Sequence, residues 1–148
     1  MRPLRKFLAL SAAGRAIILR SLLLLPTVAV LLRLQGMART KTLLGRLGRP
    51  AGGTSRALAP QEIARLVTTA ASILGARCLP QSLVLQHLLR NRNVATEIRL
   101  GVSKLANGSL AAHAWIELDG LPLNDKLDVR ERYVALPSSA IKFQVDRP

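Results

Sequence analysis

The only cysteine of this 148-residue chain, Cys78, is the residue best suited to nucleophilic chemistry. Its thiol becomes reactive when a neighbouring base removes the proton, and the chain offers two histidines, His87 and His113, as that base. A carboxylate completes such a group, because it orients the imidazole ring and stabilises its charged form. The sequence predicts a catalytic triad of Cys78, His113 and Asp125.

The residues that follow Cys78 predict that it lies at the start of a helix. Pro80 is tolerated only in the first turn of a helix, which puts Cys78 at or next to the N-cap. The N–H groups and the dipole at a helix start favour a thiolate, and the same N–H groups can stabilise the oxyanion of a tetrahedral intermediate. A lone cysteine can also be a small buried apolar residue, so this position alone does not assign a function.

Asp125 is predicted to lie opposite His113 in a β-hairpin. A three-residue loop formed by Leu118, Asp119 and Gly120 would pair the two directly. A two-residue Asp119–Gly120 turn would shift the register by one and send the two side chains to opposite faces. The triad hypothesis therefore predicts the three-residue loop. Asp119 is the alternative carboxylate, but Asp in a turn has a local structural role.

Four further side chains bear on the predicted site. His87 follows Cys78 by nine residues on the same helix, about 13 Å along its axis, which is too far to activate the thiol. Gln81 and Ser82, in the first turn, are candidate substrate contacts. Trp115 is another candidate, and it could also shield the histidine–carboxylate bond from water. First-turn helix formation and core packing explain these last three residues equally well.

The region that would position these residues, 60–148, is predicted to be an α+β domain. One helix is expected from Pro60 to a left-handed Gly75, and a second from Cys78 to about Arg92, with Asn93 as its C-cap. Antiparallel strands are expected at Ile98–Val102, Leu110–Glu117, Leu121–Asp125, Tyr133–Leu136 and Ile141–Val145. An Asn-Gly pair at 107–108 predicts the turn between the first two strands.

Residues 1–44 are predicted to form a basic, apolar helical segment, and residues 45–59 a Gly/Pro-rich linker. The apolar residues near helical spacing are Ile17, Ile18, Leu22 and Leu25. A kink or break is expected at Pro26. The longest charge-free run, 21–32, is shorter than the roughly 20 residues that a membrane-spanning helix needs. The pattern favours packing against the domain over insertion, and leaves peripheral membrane contact as an alternative.

Basic residues are concentrated in the first part of the chain. Residues 1–61 contain eleven Lys or Arg and no acidic residue, whereas the remainder contains eleven basic and eight acidic residues. Such a segment could face nucleic acid, an anionic membrane or an acidic partner. Only 3% of the residues are aromatic, which leaves no base-stacking platform and argues against nucleic acid. A single cysteine excludes an intrachain disulfide and a cysteine-only zinc site, and it suits the reducing cytoplasm.

Two motifs together resemble a known family. The run Cys78–Leu83 reads CLPQSL, and the run Ala112–Glu117 reads AHAWIE and is followed by Asp125. They resemble the transglutaminase-like maturation peptidases of lasso-peptide biosynthesis, the stand-alone protease-domain B proteins. The resemblance spans about residues 60–125, and the arginine-dotted N-terminal helices are similar as well. One departure is Asn93, where the family usually has Gly.

The resemblance implies a transglutaminase-like, or papain-like, core in which the helix that starts at Cys78 packs on an antiparallel sheet carrying His113 and Asp125. It implies a cytoplasmic cysteine peptidase that removes the leader from a ribosomally made precursor peptide. A small leader-recognition protein would present the precursor, and an ATP-dependent macrolactam cyclase would act on the freed peptide. No cofactor or metal is expected. The alternatives are acyl transfer to an amine instead of water, and a basic non-enzymatic protein that binds membrane or nucleic acid.

Overall fold

The computed structural model describes residue 7 and residues 9–48 and 58–137 of the chain. In chain order its elements are α1 (Ala12–Leu47), α2 (Pro60–Leu74), α3 (Cys78–Arg90), β1 (Glu97–Lys104), β2 (Leu110–Leu118), β3 (Leu121–Pro122), α4 (Val129–Arg132) and β4 (Val134–Ala135). The strands form one antiparallel sheet in the order β3-β2-β1-β4. The predicted α+β class is confirmed. The strand predicted at 141–145 lies outside the described residues.

Helix α1 packs one face against α2 and α3. Its buried residues before residue 30 recur at helical spacing and are Gly14, Ile17, Ile18, Ser21, Leu25 and Val28. They join a single apolar core to which α2 contributes Ile63 and Val67 and α3 contributes Leu83. Residues 45–47, assigned to the linker by the sequence, belong to α1, and residues 49–57 lie outside the described part.

The break in α1 lies at Gly36 and not at Pro26. The helix continues through Pro26 with helical backbone angles, because Leu25 and Val28 on either side of it are buried in the core. At Gly36 the backbone takes φ 76° and ψ 178°, a conformation that is essentially restricted to glycine. A break at Pro26 is therefore wrong, whereas a kink there stays a prediction.

The ends of α2 and α3 follow the sequence signals. Gly75 takes a left-handed conformation, with φ 61° and ψ 32°, and the N–H of the next residue donates to the Ala71 carbonyl. Helix α3 starts at Cys78 and ends at Arg90, and Asn93 has φ 60°. The left-handed cap predicted at Gly75 is confirmed. The left-handed backbone predicted at Asn93 is also observed, but the helix ends two residues earlier than expected and its C-cap is Asn91, in a right-handed conformation. The cap at Gly75 ends α2 and begins the short connection that leads to Cys78 at the start of α3.

A two-residue turn joins β2 to β3, so the predicted three-residue loop is wrong. Leu118 pairs with Leu121, and Glu117 pairs with Pro122. Asp119 and Gly120 both have positive φ, at 51° and 78°. An Asp-Gly pair adopts this turn readily, and its twist matches that of the flanking strands, which explains why it forms in place of the longer loop.

Replacing Gly36 by Ala should destabilise the fold by about 1–3 kcal/mol, because a side chain strains this backbone conformation. Urea unfolding followed by circular dichroism measures the loss. Gly14→Ala is the matched control, since Gly14 lies inside the helical part of α1, where alanine has the better helix propensity. Equal stabilities for Gly36→Ala and the wild type would contradict the assignment of the break.

Candidate active site

The Cys78 thiol lies at the first residue of α3, as the sequence predicts. Arg77 precedes it with extended backbone angles, and the Arg77 carbonyl accepts the first bond of the helix, from Gln81 N at 3.2 Å. Among the residues that the structure describes, no side chain caps this helix start. Its first N–H groups are therefore left for a ligand, beside a half-buried thiol.

His113 and Asp125 form the second part of the site. The imidazole Nε2 donates to Asp125 Oδ2, and the two side chains are 22% and 15% exposed. The other carboxylate oxygen, Oδ1, accepts from the Lys126 N–H and from Arg132, each at 2.7 Å. Burial alone would raise the pKa of Asp125, but these hydrogen bonds outweigh it and lower the pKa below its ordinary value. Asp125 is therefore a carboxylate at neutral pH.

Asp125 reaches His113 because the chain leaves the sheet after β3. With the two-residue turn, a regular ladder would place Asp125 opposite Ala114, on the face away from His113. Leu123 still donates to the Ile116 carbonyl at 2.8 Å. The Ile116 N–H, however, donates to the side-chain Oδ1 of Asn124 at 2.7 Å, and not to a strand carbonyl. The ladder ends there, and the freed backbone turns Asp125 towards the imidazole.

The same Asn124 side chain connects this segment to the helix of Cys78. Its Nδ2 donates to Ser82 Oγ at 3.2 Å, and Ser82 Oγ donates to the Ala114 carbonyl at 3.1 Å. Ser82 lies one helical turn after Cys78 on the same face of α3. Ala114 directly follows His113 in the sequence, and Asn124 directly precedes Asp125. The network therefore holds the start of α3 beside His113 and Asp125. Within the described residues, no hydrogen bond joins the thiol to the imidazole.

Aromatic rings fix the orientation of His113. The Tyr133 ring stacks on it at a centroid distance of 4.8 Å, and the Trp115 ring stacks at 6.1 Å. Gly101, which pairs with His113 across the sheet, makes room for them. A Cβ at this position would lie 2.9 Å from Tyr133 Cβ and 3.0 Å from Trp115 Cη2. Any larger residue would push these rings away from the imidazole.

A buried carboxylate, Glu117, anchors the outer face of β2. It is 2% exposed, accepts from Trp115 Nε1 at 2.9 Å, and pairs with Arg99 and Arg130. Burial opposes ionisation, but the hydrogen bonds from Arg130, Trp115 and Arg99 prevail and lower the pKa of Glu117 to about 2. The Trp115 ring is thereby held at the edge where it meets His113.

The model of the transglutaminase-like superfamily matches residues 22–138, which is more than half of the chain. The chain belongs to the transglutaminase-like superfamily. Its fold is that of cysteine hydrolases and acyltransferases. No curated protein and no solved structure gives a significant match. The superfamily match begins inside α1, so it takes in part of the N-terminal helix as well as the helices and the sheet.

Within this transglutaminase-like domain, the three residues predicted to contact substrate bond to other parts of the protein. Ser82 and Trp115 are fully buried and bonded inside the protein, so the structure shows a structural role for both, and their contact with substrate stays a prediction. Gln81 is half-buried and donates to Thr68 Oγ1 on α2 at 2.9 Å. Asp119 occupies the exposed turn, away from the pair.

His87 belongs to a separate structural contact. Its Nδ1 donates to the Leu44 carbonyl at 3.1 Å, and its Nε2 accepts from Asn91 at 3.2 Å. Burial lowers the pKa of His87 and the charge of Arg90 adds to this, while the Leu44 bond opposes it. The ring is therefore neutral at neutral pH and ties α3 to the end of α1.

Sequence reasoning missed four contributors to the site: Glu117, Asn124, Arg132 and Tyr133. Glu117 had a usable signal, because it shares a face of β2 with His113 and Trp115 by the alternation of a strand. The other three depend on where the chain goes after β3. Asn124 acts only because its side chain replaces a carbonyl in a ladder that local patterns predict to continue.

Replacing Asn124 by Ala should cost about 1–3 kcal/mol of stability, since the change leaves the half-buried Ile116 N–H without its acceptor. Urea unfolding measures the difference. Asn107→Ala is the matched control, because Asn107 also accepts from a backbone N–H but does so in an exposed turn. We expect the control to lose well under half as much, and equal losses would contradict the role given to Asn124.

Stability should fall as the pH drops from about 4.5 towards 2, because the pKa of Glu117 is lowered to about 2 in the folded protein. The stabilisation is fully present above the unfolded pKa and is lost as the carboxylate is protonated, on the order of 3 kcal/mol. Unfolding of the wild type and of Glu117→Gln across this range tests the prediction. Glu131→Gln, at an exposed position, should lose unfolding free energy with falling pH as the wild type does. The prediction would be contradicted if Glu117→Gln showed the same dependence on pH as the wild type.

Proposed function

We propose that this protein is a cysteine peptidase that removes the leader from a ribosomally made lasso-peptide precursor. The observation that carries the proposal is the hydrogen-bond network of Asn124 and Ser82, which holds the helix start of Cys78 beside the His113–Asp125 pair. Superfamily membership supports a thiol nucleophile on this fold. The resemblance of the CLPQSL and AHAWIE runs supports the narrower assignment to leader removal.

The chemistry begins with the thiol proton. Because His113 Nε2 is bonded to Asp125, Nδ1 is the nitrogen left to take that proton, and Asp125 stabilises the imidazolium that results. The sulfur of Cys78 then attacks the carbonyl carbon of the scissile peptide bond, and the free N–H groups at the start of α3 stabilise the oxyanion.

Collapse of the tetrahedral intermediate breaks the C–N bond, and His113 returns the proton to the leaving amine. The leader remains attached to Cys78 as a thioester. Water, deprotonated by the same imidazole, hydrolyses the thioester and restores the thiol. The products are a leader with a free carboxylate and a core peptide with a free amino group.

An open groove beside the pair offers a place for the precursor. It has a volume of about 520 Å³ and runs between α2 and the 123–126 segment. Its wall on α2 includes Gln61, Arg65 and Thr68, and its other wall includes Asp125. Thr68 also accepts the bond from Gln81, in the first turn after Cys78. A peptide in this groove would therefore run towards the reactive thiol.

Two partners belong to this proposal. A small leader-recognition protein would bind the leader and deliver the precursor, and an ATP-dependent macrolactam cyclase would use the amino group that cleavage frees. The order of the two reactions follows from the chemistry, because the ring cannot close until that amine exists. The cytoplasm is the compartment proposed for all three proteins, in keeping with a free thiol.

Acyl transfer is the second candidate, because the superfamily also contains acyltransferases. The first half of the reaction would be the same, and an amine would replace water in the attack on the thioester. The mass of the released leader distinguishes the two: hydrolysis gives a free acid, and transfer gives an amide.

Mass spectrometry of a precursor peptide incubated with this protein and the leader-recognition protein tests the proposal. We expect the wild type to release the leader as a free acid, and Cys78→Ala and His113→Ala to lose at least 1000-fold in rate, as removal of a nucleophile or its base does. His87→Gln is the matched control and should keep most of the activity, since the ring nitrogens of His87 bond to the Leu44 carbonyl and to Asn91.

Two results would contradict the assignment. Cleavage by Cys78→Ala at the wild-type rate would remove the thiol from the mechanism. An equal loss in His87→Gln and His113→Ala, with both variants folded, would remove the distinction between the two histidines. If the protein only binds membrane or nucleic acid, Cys78→Ala should bind as tightly as the wild type does.

A further inference from the structure

Helix α1 carries a second apolar stripe on the side opposite to the core. Its large members are each more than half exposed and are Leu19, Leu23, Val30 and Leu34. At 100° per residue these four fall within about 60° of arc, so they form one line along the helix. From the first to the last they span about 22 Å. Among the described residues, no element packs on this line.

Basic side chains border the stripe. Helix α1 contains six Lys or Arg and no acidic residue. Arg33 lies at the edge of the stripe on one side and Arg20 on the other, and both are exposed. Long arginine side chains can lie along an apolar surface and place their charge at its border. The face is therefore apolar in the middle and cationic at its edges.

We propose that this outer face of α1 docks on an anionic lipid surface, with the helix lying in the plane of the membrane. A bilayer offers an apolar layer below negative headgroups, which complements an apolar stripe between arginines. The stripe contains no Trp or Tyr of the kind that anchors protein interfaces. Its charge and its purely aliphatic composition together favour lipid over an acidic protein. This inference is independent of the peptidase activity.

The helix lies on the membrane and does not cross it. By length and composition α1 passes the test for a membrane span, with a mean hydropathy of 2.1 over its most apolar window, a test that core helices and signal sequences also pass. However, Ile17, Leu25 and Val28 on its inner face are buried against α2 and α3. Insertion across a bilayer would strip those residues from the core, whereas docking of the outer face leaves every one of these contacts in place.

Cosedimentation of the full chain with vesicles tests this proposal. We expect binding to vesicles of equal phosphatidylglycerol and phosphatidylcholine, and at least tenfold weaker binding to phosphatidylcholine alone. The double variant Leu23→Glu/Leu34→Glu should bind the anionic vesicles at least tenfold more weakly. Leu110→Glu/Leu121→Glu is the control matched in charge, because both leucines are exposed on the sheet, and it should bind as the wild type does.

Circular dichroism and the unfolding midpoint show that both double variants are folded. Failure of the wild type to bind the anionic vesicles would overturn the proposal. This is the result expected if the stripe pairs two copies of the chain or binds another protein. Equal weakening in the two double variants would also overturn it, since the effect would then come from added negative charge and not from the stripe.

Discussion

The side chain of Asn124 is the point through which the helical and the sheet parts of the site are connected. Its carbonyl oxygen ends the β2–β3 ladder by accepting from Ile116, and its amide reaches Ser82 on the helix of Cys78. Ending the ladder turns Asp125 towards His113, and bonding Ser82 brings the helix start to the same place. A regular hairpin would not bring Asp125 to His113, because its register sends the carboxylate to the other face.

The two faces of strand β2 lie in different environments. Its inner face carries Ile116 into the apolar core under α3, which packs the strand against the helix. Its outer face carries His113, Trp115 and Glu117. The buried, ion-paired carboxylate of Glu117 accepts a hydrogen bond from the Trp115 indole, and the indole stacks on the His113 imidazole. The histidine is therefore mounted on a rigid strand, and only its outer edge faces solvent. This position would suit the proposed role of His113 as a base for a thiol on another element.

Local sequence patterns predict most of the helices and strands, whereas the break in α1 and the contacts around the site depend on residues far apart in the sequence. Gly75 and Asn93 were predictable as left-handed caps because each signal lies within a few residues of its helix end. The break at Gly36 was not, since burial on both sides of Pro26 outweighs the proline and depends on the rest of the core. The structural role of Ser82 was not predictable, because its partners lie more than thirty residues away in the sequence. The superfamily could be recognised from two short runs of sequence, whereas the hydrogen bonds of Asn124 to Ile116 and Ser82 could be found only from the structure.

The central claim is that His113, held by Asp125, activates the thiol of Cys78. Alkylation by iodoacetamide measures this directly, because the chain contains one cysteine and the modified mass reports on that residue alone. At neutral pH the wild type should react at least tenfold faster than His113→Ala and Asp125→Ala, while His87→Gln reacts as the wild type does. Equal rates in the wild type and in folded His113→Ala would contradict the account, because the imidazole would then have no effect on the thiol.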